Sequence, residues 1–227
     1  MKRVITALLA ALLALSLAAC GSRVETKKLA GTWTCTIDVT DRMNAAAEQA
    51  LGLSAADGTA QMPLQLVLTV TEDGAYTLRY DSDAARTALD AYAAALHPAA
   101  VESVYAAAEE QGLSREEYDA AMEKAGITMD DMVAAIFAGV DEEELLSLLT
   151  GRSAALTGYC RAEGGQLYLA DTAADLTETA DCLSYTLSDG TMTWTDAQGE
   201  LSSQLTEQEQ ELLRVPLTWT KRAEESK

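Results

Sequence analysis

Residues 64–80 read Leu-Gln-Leu-Val-Leu-Thr-Val-Thr-Glu-Asp-Gly-Ala-Tyr-Thr-Leu-Arg-Tyr. Leu64, Leu66, Leu68 and Val70 occupy every second position, Glu72-Asp73-Gly74 supplies turn chemistry, and Tyr76, Leu78 and Tyr80 resume the alternation on the way back. A two-residue period puts these side chains on one face of an extended ribbon. An Asp-Gly between two such runs signals a β-hairpin. An isolated hairpin is marginal in water, so this one needs further strands around it.

The chain supplies them on both sides. Upstream, Trp33, Cys35, Ile37 and Val39 alternate with Thr32, Thr34, Thr36 and Asp38. Downstream, the same period returns near 155–162, 166–170, 182–187, 191–195 and 215–221, with Gly164-Gly165 and Asp189-Gly190 as turns, giving about eight strands. The alternation aims Trp33, Leu66, Leu68, Tyr76, Leu78, Leu169, Leu183, Tyr185, Met192, Trp194 and Trp219 at one face. An antiparallel sheet of this size closes on itself to remove its edges. An eight-stranded barrel is just wide enough to be filled by its own side chains or to hold one small ligand. Trp33, Tyr76, Tyr185, Met192, Trp194 and Trp219 are therefore the candidate ligand-binding residues, and a filled interior is the reading to beat.

Gly31-Thr32-Trp33 at the start of the first strand, the antiparallel hairpins, and the last strand Leu217-Thr218-Trp219-Thr220-Lys221-Arg222 together resemble the lipocalin-like, or calycin, barrels. The resemblance implies that Trp33 plugs one barrel end and that Lys221 or Arg222 covers it. The Thr-Asp-Tyr type motif of true lipocalins is absent, and roughly 70 residues of helical character interrupt the barrel.

Between Asp81 and Thr150 the period becomes helical. Leu89, Tyr92 and Leu96 form one stripe; Val101, Val104, Tyr105 and Ala108 a second; Tyr118, Met122 and Ala125 a third; Met129, Met132, Val133, Ile136 and Phe137 a fourth. His97-Pro98 is expected to part the first two, because proline is disfavoured inside a helix. A short repeat follows: Gly112-Leu113-Ser114-Arg115-Glu116-Glu117, Gly126-Ile127-Thr128-Met129-Asp130-Asp131 and Gly139-Val140-Asp141-Glu142-Glu143-Glu144. In each unit the glycine ends a helix, the Ser, Thr or Asp caps the next, and an acid three residues on completes a capping box. Smaller helices are expected at 41–52 and after Thr206. The fold class is α+β: an antiparallel eight-stranded lipocalin-like barrel at 29–81 and 151–222, with an inserted bundle of short helices at 82–150 and a polar tail at 223–227.

The N-terminus carries an address. Lys2 and Arg3 precede an apolar run from Val4 to Ala19, and Leu17-Ala18-Ala19-Cys20-Gly21 is similar to the lipobox of bacterial lipoproteins. That resemblance implies a signal peptide at 1–19, diacylglycerol on Cys20, and a lipidated tether at 20–28. The membrane, reached through covalent lipid (a palmitate-type acyl anchor), becomes the first partner, and the extracytoplasmic face of a cell membrane the location.

The formal net charge is −20, and loss of Lys2 and Arg3 makes the mature chain two units more negative. Such a field repels phosphate polymers, which excludes nucleic acid as a partner. His97 is the single histidine and no Gly-x-Ser-x-Gly elbow exists, so hydrolysis by a Ser-His-Asp triad has no support. Cys35, Cys160 and Cys182 contain no Cys-x-x-Cys pair; in an oxidising compartment one disulfide could form among them, and buried free thiols are the alternative. The acidic clusters lack calcium-loop spacing, and no phosphate-binding loop follows a strand, so no metal, cofactor or catalytic residue is expected. Two functions fit: capture of a small apolar or amphiphilic ligand in the barrel, or docking of an envelope protein on the helical insertion.

Overall fold

A computed structural model of the chain describes residues 25–53, 60–137, 155–177, 180–198 and 213–223. Eight strands, β1 (Gly31–Asp38), β2 (Pro63–Val70), β3 (Ala75–Tyr80), β4 (Leu156–Glu163), β5 (Gln166–Ala170), β6 (Asp181–Ser188), β7 (Thr191–Gln198) and β8 (Leu217–Lys221), close into a barrel in sequence order. The 64–80 hairpin takes the register that its alternation requires, with Leu66 opposite Tyr80, Leu68 opposite Leu78 and Val70 opposite Tyr76. β8 returns antiparallel to β1, pairing Lys221 with Trp33. The fold is α+β with a closed antiparallel barrel, as the periodicity implies.

By its internal contacts the chain divides into two compact units: Met1–Cys35, Leu66–Tyr80 and Ala154–Lys227 form the first, and Thr36–Gln65 with Asp81–Ser153 the second. In the first unit, a short helix α1 (25–29) seats on one barrel end. The Ala162 amide donates to Thr26 Oγ1 at 3.0 Å, the Gly164 amide donates to Glu25 Oε2 at 2.9 Å, and Trp33 Nε1 donates to the Leu29 carbonyl at 2.7 Å. Trp33 is fully buried. Lys221 Nζ stands 5.3 Å from the centre of its ring, so Lys221 covers the plug; the Arg222 amide donates to the Thr32 carbonyl. Residues 25–28, which the sequence assigns to a tether, belong to this helix. Residues 25–28 fold because Thr26 and Leu29 find buried seats while Lys27 and Lys28 face outward.

Another expectation also changes. β6 and β7 shift register between Ser184 and Tyr185, where Thr195 is the extra residue of a bulge. Tyr185 still faces inward, opposite the buried Trp194, but is only half-buried.

The second unit contains α2 (Thr40–Leu51), α3 (Ser82–Glu110), α4 (Arg115–Ala125) and α5 (Met129–Phe137). Pro98 does not divide α3, which runs through it for 29 residues. The lost backbone bond and ring clash cost roughly 3 kcal/mol. Burial on both sides of the proline offsets this: Tyr92, Leu96 and Ala100 are all essentially sealed, and Tyr92 Oη donates to Asn44 Oδ1 on α2 at 2.7 Å. Two repeat units form the expected capping boxes. The Ser114 amide and hydroxyl meet Glu117 while the Glu117 amide donates to Ser114 Oγ, and Thr128 and Asp131 repeat the arrangement. A separate small core gathers Leu53, Ala100 and Val133, with Leu51, Val101, Ile136 and Phe137 packed against it. The third repeat unit at 139–144 and the helix expected after Thr206 lie outside the described residues.

The turn at Gly74 has φ +91°, and a Cβ there would collide with the Cys160 carbonyl oxygen; Gly164 also has positive φ, +58°, but faces open space. Gly164→Ala should therefore cost about 1 kcal/mol and Gly74→Ala about 3 kcal/mol or more. Urea unfolding followed by tryptophan fluorescence measures both, and equal midpoints would contradict this packing of α1 and the turns.

Candidate functional site

Five of the six candidate ligand-binding residues converge inside the barrel. Trp33, Met192 and Trp219 have no exposed surface, and Tyr76 and Trp194 are 6% exposed. Trp194 and Trp219 lie on adjacent strands with ring centres 4.8 Å apart. Around them remains a cavity of about 30 Å³, lined only by apolar groups including Leu29, Leu68, Leu78, Leu169, Met192 and Trp194. That is room for roughly two water molecules, whereas small-molecule pockets run to roughly 300–1,000 Å³. Among the described residues, the side chains that would line a ligand site leave it little room.

Two polar atoms in this core stay unanswered. Trp194 Nε1 and Trp219 Nε1 are buried without an acceptor, in contrast to Trp33 Nε1. Each buried, unpaired donor costs about 1–3 kcal/mol, a cost that the surrounding apolar packing must carry.

Cys35, Cys160 and Cys182 stand outside any disulfide. The pairing that the sequence allows is absent for a topological reason. Cys35 on β1 and Cys160 on β4 sit on strands that are not neighbours, and Cys182 alternates with the inward Leu183 and so turns outward. Burial pushes the Cys35 thiol up and the Cys160 thiol up to about 12. Among the described residues no cluster of His, Cys, Asp or Glu is arranged to hold a metal ion, and no helix is long and apolar enough to cross a membrane.

His97 lies inside α3 rather than at a helix boundary, its Nε2 3.0 Å from Asp130 Oδ1 on α5. Both side chains are well exposed, and this contact ties two helices together.

The surface offers what sequence reading passed over. Among the described residues the exposed large hydrophobics are Leu113 and Ile127. They occupy the same position, directly after glycine, in successive repeat units, and the repeated apolar residue at that position was the available signal. Each amide closes the preceding helix, Leu113 N donating to the Ala108 carbonyl and Ile127 N to the Met122 carbonyl. A hydrophobic residue at this position commonly packs on the helix it ends; Leu113 and Ile127 keep 39% and 42% of their surface exposed. Eleven acids against three bases occupy 82–137, so these apolar groups stand in a negative field. Arg115 is held by Glu102 at 2.7 Å, by Glu109 at 3.3 Å and over the Tyr105 ring.

In the unlipidated chain beginning at Gly21, a thiol reagent at pH 8 should modify Cys182 quickly and reach Cys35 and Cys160 only on unfolding. Intact mass after timed quenching decides this, and a disulfide or three equally fast thiols would contradict the assignment. Because the Cys160 thiol is raised above its ordinary 9.0 in the folded chain, its protonation leaves stability unchanged below that pH. Stability should then fall as pH rises from 9.0 towards about 12. No protein-family model, curated protein or solved structure matches the chain, so these assignments rest on its own geometry.

Proposed function

We propose that this protein is a lipoprotein held at the extracytoplasmic face of a cell membrane by diacylglycerol on Cys20, and that it acts without catalysis as a docking module for an envelope protein. The observation that carries this reading is the pair Leu113 and Ile127, equivalent residues of an internal repeat that leave their apolar side chains in water among exposed acids. Scattered exposed hydrophobics need no explanation; a repeated one, beside capping acids that recur in step, matches a partner with spaced apolar sockets bordered by Lys or Arg. The small volume inside the barrel supports the same reading by favouring a solid scaffold.

A second reading, capture of an apolar or amphiphilic ligand in the barrel, is favoured by Trp194 Nε1, a buried donor at the cavity without an acceptor. A ligand oxygen would satisfy it. This reading requires the barrel to widen from about 30 Å³ to roughly tenfold that volume.

A photo-crosslinking amino acid at position 113 or 127 should yield one discrete protein adduct in intact envelopes. Leu113→Ser combined with Ile127→Ser should weaken binding of that partner by roughly tenfold or more, with little change in stability because both sites are exposed. A diffuse smear of adducts, or a double variant that binds as before, rejects the docking reading.

A further inference from the structure

An open groove of about 560 Å³ runs beside α1 on the outside of the barrel, lined by Thr26, Lys27, Glu72, Asp73, Arg161 and Leu176. Its charges come from three directions. Lys27 is carried by α1, Glu72 and Asp73 by the β2–β3 turn, and Arg161 by β4, where it points outward between the buried Cys160 and Ala162. The Arg161 guanidinium is stacked on Tyr168, 4.7 Å from the ring centre. Its buried Nε has no hydrogen-bond partner, and Glu163 at 3.9 Å is too distant to accept one. Lys27 and Glu72 form an exposed ion pair at 3.4 Å, which is worth little and opens readily. Thr71 Oγ1 donates to Asp73 and holds that carboxyl below its usual range.

Two cations and two carboxylates facing one groove suit a ligand that carries both signs. The anchor reading of Cys20, on which this inference rests, says where such a ligand is found. Four residues lie between Cys20 and Glu25, so five steps of chain span at most roughly 17 Å and the α1 end of the barrel stays within reach of the headgroup layer. Lys28, Lys221 and Arg222 belong to the same end: the Lys221 amide donates to the Gly190 carbonyl and the Arg222 amide to the Thr32 carbonyl. In a chain with so large an excess of acid, these bases lessen the repulsion that an anionic leaflet would exert on this end.

We infer that the groove beside α1 binds the headgroup of a phospholipid bearing a primary ammonium, its phosphate taken by Lys27 and Arg161 and its ammonium by Glu72 and Asp73. A quaternary ammonium is a poorer fit. It donates no hydrogen bond to a carboxylate and prefers aromatic faces, and the aromatic ring beside the groove, Tyr168, is already covered by Arg161.

The test reconstitutes the full lipidated protein into phosphatidylcholine vesicles doped with a headgroup-photoreactive phosphatidylethanolamine, phosphatidylcholine or phosphatidylglycerol, and maps the crosslinked peptides. The expected result is preferential labelling of 25–29 and 161–176 by the ethanolamine lipid, reduced roughly tenfold in Lys27→Gln/Arg161→Gln. Equal labelling by the ethanolamine and choline lipids, stronger labelling by phosphatidylglycerol, or no effect of the double variant overturns the inference. Intact mass reads the anchor independently. If Cys20 carries no diacylglycerol, the anchor reading fails, and crosslinking of the same chain mixed with the same vesicles still decides the groove by the same criteria.

Discussion

The packing of Trp33 sets the rest of this structure. Its indole fills one end of the barrel, its Nε1 donates to the Leu29 carbonyl, and Lys221 lies over its ring. That hydrogen bond fixes α1, α1 pins β4 and the β4–β5 turn through Thr26 and Glu25, and Leu29 contributes to the apolar lining of the interior. With β8 paired to β1 beneath Lys221, the sheet has no edge left to recruit another strand. Closure and filling are one event here, because the residues that seal the end also consume the volume a ligand would need.

The strands were legible because a two-residue period survives any register, and the hairpin at 64–80 combined that period with unmistakable turn chemistry. The capping boxes at Ser114–Glu117 and Thr128–Asp131 were legible because their partners lie three residues apart, so no tertiary knowledge is needed. What escaped reading depends on long-range packing. Pro98 stays inside α3 because Leu96 and Ala100 are buried on either side of it, which no local window reveals. α1 looks like a polar tether until the seats for Thr26 and Leu29 exist. Tyr185 keeps its inward register opposite Trp194 but is only half-buried, beside the bulge that Thr195 makes on the neighbouring strand. The site followed the same division: the inward residues were named correctly for the most part, but alternation does not tell how much space they leave.

The surface then becomes the informative part of the molecule. The helices between 82 and 137 carry a strong excess of exposed acid with two apolar residues standing out of it, whereas the α1 end of the barrel balances its acids with Lys27, Lys28, Arg161, Lys221 and Arg222. The proposed anchor at Cys20, the proposed headgroup groove beside α1 and the proposed docking surface on the repeat would assign separate tasks to separate residues. None of these tasks asks the barrel to be hollow.

That solidity is the central claim, and the indole resonances report it directly. Nitrogen-15 spectra of the folded chain contain three tryptophan side-chain signals, one each for Trp33, Trp194 and Trp219, and can be followed while a fatty acid or lysolipid is titrated in. The account predicts that all three stay in place through the titration. A saturable shift of the Trp194 and Trp219 signals would show that the barrel opens to a ligand, and would contradict it.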